Sequence, residues 1–131
     1  RGGKVIVQTF LPEHPAVRHA AAHDYRSFAR GELEERKMFG YPPYSHALRI
    51  TFEAPELAKV EQMAQNASTL LRAIQAPHCD FLGPAPPPVE KIRGRFRRQI
   101  LIKAKSKLAL EPLRTTLFDL CQKQGIVVDR L

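Results

Sequence analysis

Prolines and a basic run, set end to end, constrain this chain more than anything else in it. The stretch Phe81–Lys105 reads FLGPAPPPVEKIRGRFRRQILIKAK. A short apolar run ends at Gly83 and gives way to Pro84, Pro86, Pro87 and Pro88. Proline fixes φ and removes a backbone donor, so this tract can be neither a helix interior nor a central strand. It reads as a stiff extended loop between two strands. Lys91, Arg93, Arg95, Arg97 and Arg98 follow, and then the apolar Ile100, Leu101 and Ile102. From Glu90 to Lys105 there are seven Lys or Arg against one acid, so a local +6 stands beside a whole-chain charge of +8.

A surplus of this kind suits nucleic acid, an acidic membrane surface or an acidic protein tail. Charge spread for solubility would not be gathered into one loop and the strand it feeds. At 131 residues the expectation is one compact domain with an appendage, long enough to bury a core without staples. Cys79 and Cys121 make no disulfide framework and no metal-binding Cys pair. No apolar run approaches the ~18 residues of a membrane span, and no signal peptide opens the chain, so a cytoplasmic protein without a membrane partner is expected. Beginning at Arg1 and stopping at Leu131 inside an apolar run, the chain reads as a cut piece of a longer one.

Taken in order, Lys4–Phe10 is a β-branched apolar segment bounded by Gly3 and Pro12, the pattern of a buried strand. Pro15 then opens a long helix in which Val17, Ala21, Tyr25, Phe28 and Leu33 recur at helical spacing. A break near Gly31 is allowed, Glu32–Arg36 forms an i, i+4 pair, and Gly40-Tyr41-Pro42-Pro43 ends the helix. Ser45–Glu53 alternates, with Leu48, Ile50 and Phe52 on one face. A helix starts at Pro55 and Glu56 with the stripe Leu57, Val60, Ala64, Ala67, Leu71, Ile74; Pro77 stops it. Strands are expected at Cys79–Gly83 and Phe96–Ala104, then a helix from about Glu111 with Leu113, Leu117, Leu120 and Cys121 inward. A last strand covers Ile126–Leu131. The order from Ser45 is β-α-β-β-α-β, a split βαβ, ferredoxin-like α+β arrangement. The expected boundaries are an orphan terminal strand, without its sheet, at 1–11, a connecting helix and Pro-Pro turn at 12–44, and the C-terminal domain at 45–131.

Little in the chain suggests catalysis. His19 and His23 lie four apart on a helix, but Ala20 stands where a zinc protease needs glutamate, so no metal site is expected. Both cysteines read as small core groups. Glu34 and Glu35 fall on different helix faces among Arg36 and Lys37, and no phosphate-binding glycine loop exists. The basic stretch remains. Lys91, Arg93, Arg97, Arg98 and Lys103 offer charge to phosphates, and Phe96 and Tyr41 or Tyr44 offer stacking faces. Arg95 and Gln99 have the same parity in a strand and so share one face. Lys59 sits on the polar side of its helix and reads as remote from that motif.

The order Leu-Gly-Pro-Ala-Pro, then Lys-x-Arg-Gly-x-Phe-Arg-x-Gln-x-Leu-Ile-Lys, resembles the C-terminal domain of the PriA family of primosomal helicases. GKVIVQTFLPEHPAV at Gly3–Val17 and LEERKMFGYPPYS at Leu33–Ser45 resemble the same family in the same order. The resemblance implies a domain of ribosomal-protein-like topology within an ATP-driven 3′→5′ DNA helicase that restarts stalled forks. Its catalytic lobes would hold ATP with magnesium, and structural zinc would lie elsewhere in the parent; this chain has counterparts of neither set of residues. Implied partners are forked and single-stranded DNA, the parent's own helicase lobes, other primosome proteins, and the acidic C-terminal tail of single-stranded DNA-binding protein. The family residues that face that tail fall on Arg95 and Gln99. Phe96 and Arg98 stand where some relatives carry tryptophan. A nucleoid-associated cytoplasmic location follows from the same resemblance.

Two rival readings come from other classes. A free-standing RNA-binding, ribosomal-type protein would share fold and charge but has no use for the apolar Lys4–Phe10 segment. A small metal enzyme built on His14, His19 and His23 would need stoichiometric zinc.

Overall fold

The computed structural model describes residues 2–131. They divide into two compact units, one running up to Phe39 and the other from Gly40 to Leu131.

In the first unit the expected strand at Lys4–Phe10 does not form. A strand's amides and carbonyls need a neighbouring edge, and among the described residues none is paired with this segment. Val5 and Ile6 are 87% and 82% exposed. The single long helix is two: α1 (Pro15–Ala21) and α2 (Tyr25–Met38). The break falls not at Gly31, which sits inside α2, but at His23, whose φ is 53°. Asp24 then caps α2, its Oδ1 accepting from the Ser27 amide at 3.1 Å. The Ser27 hydroxyl, and after it this amide bond, hold the Asp24 carboxyl below its ordinary range. His14 does the same for α1, its Nδ1 accepting from the Ala16 amide at 3.2 Å. Glu32 and Arg36 pair at 2.9 Å one turn apart, as expected.

The second unit is the α+β domain. Its elements are β1 (His46–Ala54), α3 (Leu57–Arg72), β2 (Cys79–Ala85), β3 (Lys91–Ile92), β4 (Arg95–Ala104), a 3₁₀ turn (Leu108–Leu113), α4 (Arg114–Cys121) and β5 (Ile126–Arg130). The sheet order is β2-β4-β1-β5, antiparallel throughout, with β3 added to the start of β4. With α3 and α4 on one face, this is the split βαβ arrangement.

Register decides the core. Ile50 stands opposite Ile100, Leu48 opposite Ile102 and Phe52 opposite Arg98. These even-numbered positions meet Val60, Ala64, Ala67 and Leu71 of α3 and Leu113, Leu117 and Leu120 on the other helical side. Small Ala64 and Ala67 let α3 lie close on the sheet. Odd-numbered positions of β1 and β4 turn the other way and carry Arg49, Thr51, Glu53, Arg95, Arg97, Gln99 and Lys103.

Some expectations shift. The regular part of α4 begins at Arg114 because Pro112 sits in the preceding 3₁₀ turn. Cys121 is exposed, not in the core. It lies one residue past Leu120, a rotation of about 100° that carries it off the stripe. Cys79 does pack against the core, and its thiol donates to the Ala109 carbonyl at 3.1 Å. Pro84 lies at the end of β2, an edge strand, where a missing donor is tolerated.

Gly125 opens β5 at φ 79°, and a Cβ there would collide with the Glu53 carbonyl oxygen. Gly125→Ala should therefore destabilise the domain by about 1–3 kcal/mol or more, measured by urea denaturation. Gly94→Ala, also at positive φ but in open space, should cost less.

Candidate nucleic-acid interface

The basic stretch is not a plain loop. Lys91 and Ile92 of β3 pair with Phe96 and Arg95 of β4, and Arg93 and Gly94 turn the chain between them. Both turn residues have positive φ, 49° and 79°. This two-residue pattern matches the twist of the strands it joins. Glycine adopts it freely, but an arginine held there costs about 1–3 kcal/mol. The hairpin thus presents the exposed Arg93 at its tip. Among the described residues that guanidinium forms no ion pair.

The neighbours behave differently. Phe96 packs against the core, and the Lys91 ammonium lies 4.4 Å from its ring centroid. The Lys91 ammonium thus occupies a face of the ring that the sequence offered to a base. The Lys103 ammonium sits 4.9 Å from the Tyr41 ring.

Arg97 and Arg98 were expected among the phosphate-binding cations; the structure places both in internal ion pairs. Arg97 Nε lies 3.1 Å from Glu53 Oε1. Arg98 falls on the core face opposite Phe52, and its side chain is only 11% exposed. There its Nη2 donates to Glu61 Oε1 at 2.9 Å and its Nη1 to Glu90 Oε1 at 2.6 Å. Burial alone would lower its pKa, but the bonds to Glu90 and Glu61 outweigh burial and raise it. The acids come from β1, from α3 and from the loop before β3. None adjoins the basic run in sequence except Glu90, and its role depends on the unforeseen hairpin.

Arg95 and Gln99 have the same parity in β4, but Arg95 is the strand's first residue and its surroundings include the start of α3. Gln99 lies mid-strand between Thr51 and Ala85. Arg95 stands about 13 Å further back along the strand. Its Nη2 donates to the Glu53 carbonyl at 3.0 Å, and its Nε is 4.0 Å from the Glu53 carboxylate. It lines a cavity of about 190 Å³ with Glu53, Pro55, Lys59, Met63 and Gln124. Lys59 is therefore not remote from the motif. No local signal could have shown this, because the cavity joins the start of α3 to the start of β4.

The other candidates stay apart. Burial, with the Asp80 charge beside it, pushes the Cys79 thiol up, away from a reactive thiolate. Among the described residues no three His, Cys, Asp or Glu side chains gather as a metal site. Nor is any helix of the described residues long and apolar enough to cross a membrane.

Comparison with known proteins places the domain. Residues 37–129 match the family described as the primosomal protein N C-terminal domain, and the chain belongs to that family. Replication restart protein PriA of Bacillus subtilis is 33% identical over 111 residues, covering 85% of this chain and 14% of the relative. The PriA of Treponema pallidum is 35% identical over 117 residues, 89% of this chain and 18% of the relative. That of Synechocystis is 34% identical over 101 residues, 77% and 12%. The chain thus spans under a fifth of the length of these relatives.

Arg98→Ala should destabilise the domain by about 1–3 kcal/mol, since it strips charged partners from Glu61 and Glu90. Arg98→Met should lose less, because an apolar side chain of similar length keeps the packing. Denaturant midpoints of the two variants check this order.

Proposed function

We propose that this chain is the DNA- and partner-binding C-terminal domain of a replication-restart helicase of the PriA type. The observation that carries the reading is the β3–β4 hairpin. It holds Arg93 in a left-handed turn at an exposed tip, with Lys91 beside it. Backbone strain without a packing reward points to a task for the tip, and a bare guanidinium suits phosphate. Lys103 adds charge further along β4. Arg97 and Arg98 support the platform from within. Phosphate contacts carry no base information, so the domain contributes affinity for forked or single-stranded DNA in place of sequence preference. The activity of the whole protein, ATP-driven strand separation with magnesium and structural zinc, is proposed for parts of the parent outside the domain matched here. Its helicase lobes, other primosome proteins and a nucleoid location are proposed with it.

The second part of the reading concerns the acidic tail of single-stranded DNA-binding protein. Arg95 would pair its terminal carboxylate and Gln99 its backbone, while the helicase lobes supply the rest of the pocket. The geometry in favour is a guanidinium already fixed by the Glu53 carbonyl, so little ordering is left for binding. A ribosomal-type RNA-binding role has no comparable support from the relatives.

Salt titration tests the first part. With two or three phosphates engaged, log affinity should fall with log salt at a slope of about −2. Arg93→Ala should weaken binding to all DNA sequences alike and flatten the slope by about 1. No salt dependence would defeat the reading.

For the second part, Arg95→Ala in the full-length protein should weaken an acidic, phenylalanine-ended peptide about tenfold. Unchanged affinity would return Arg95 to a structural role.

A further inference from the structure

The cavity beside Arg95 contains more charge logic than one arginine supplies. Its charged lining groups are Arg95, Glu53 and Lys59. Glu53 is shared: its carboxylate lies 4.0 Å from Arg95 Nε and 3.1 Å from Arg97 Nε, so it answers only part of the Arg95 charge. Lys59 adds a second cation to the cavity. It is exposed, on the first turn of α3, and among the described residues its ammonium forms no ion pair. Pro55 and Met63 add apolar wall, and Met63 itself packs on the core, so that wall is fixed. Arg95 is held by the Glu53 carbonyl through Nη2. Its Nη1 makes no hydrogen bond among the described residues.

Resting on the tail-binding reading, we infer that Lys59 is the second cation of the carboxylate site, and that a peptide's terminal carboxylate binds between Lys59 and Arg95 with its apolar side chain against Met63. Arg95 supplies a fixed, directional donor; Lys59 supplies a second positive charge in the cavity lining. Glu53 is the opposing group, and it limits affinity.

The test uses the full-length protein and a synthetic acidic peptide ending in phenylalanine, as the free acid and as the C-terminal amide. Lys59→Ala should weaken the free acid by about two- to fivefold, the size of an exposed pair, and leave the amide unchanged. Glu53→Gln should strengthen the free acid, since the Glu53 backbone carbonyl that holds Arg95 is retained. If Arg95→Ala weakens the free acid while Lys59→Ala and Glu53→Gln do not alter it, the inference fails and the tail reading stands. If Arg95→Ala has no effect, the tail reading fails and the inference goes with it.

Discussion

Arg98 is the residue around which this domain is arranged. A guanidinium on the core face of the central strand β4 cannot be left without counter-charge, since desolvating an unpaired ion costs several kcal/mol. Its position opposite Phe52 therefore demands partners. Glu61 comes from α3 and Glu90 from the segment leading into β3, so one cation ties a helix and a hairpin to the strand between them. The Arg97 amide also donates to the Glu90 carbonyl at 2.8 Å, which fixes the approach to β3 a second time. The direction in which the hairpin tip points is thus set by a charge that is almost entirely buried.

This changes what the basic stretch means. Counted along the chain, it is strongly positive; counted in space, much of that charge is answered. Glu53 stands beside Arg95 and Arg97, Glu61 and Glu90 beside Arg98, and Asp129 beside Arg49 at 3.4 Å. Among the described residues Lys91 and Arg93 form no ion pair, so theirs is the charge left unanswered. A local charge count overstates an interface whenever distant acids fold onto it.

The elements built on periodicity were legible: β1, α3, β2, β4 and β5 each follow from apolar spacing and flanking prolines, and their order implies the split βαβ topology. Three features were not. The α1–α2 break depends on His23 in a left-handed conformation and on Asp24 as a cap. Asp24-x-x-Ser27 was the available signal, but helical spacing across Ala21 and Tyr25 masked it. The β3–β4 hairpin uses Arg-Gly where the usual turn signal is Asn-Gly or Asp-Gly, so the turn had no familiar mark. Missing the hairpin hid Glu90 as a partner of Arg98. The cavity of Arg95 and Lys59 joins residues 36 positions apart in sequence, and only tertiary packing brings them together.

One atom links the scaffold to the candidate site. The Glu53 carbonyl oxygen accepts from Arg95 Nη2, and it is the same oxygen that a Cβ at Gly125 would strike. The Glu53 amide donates to the Gly125 carbonyl at 2.7 Å, so the end of β1 and the start of β5 are locked together at this point. Because Gly125 has no side chain, β5 approaches closely enough to make that bond while the oxygen keeps room for a guanidinium. Any larger residue would have to displace one or the other. The close approach that completes the sheet is therefore also what holds Arg95 in place, and that guanidinium owes its fixed position to a glycine with no chemistry of its own.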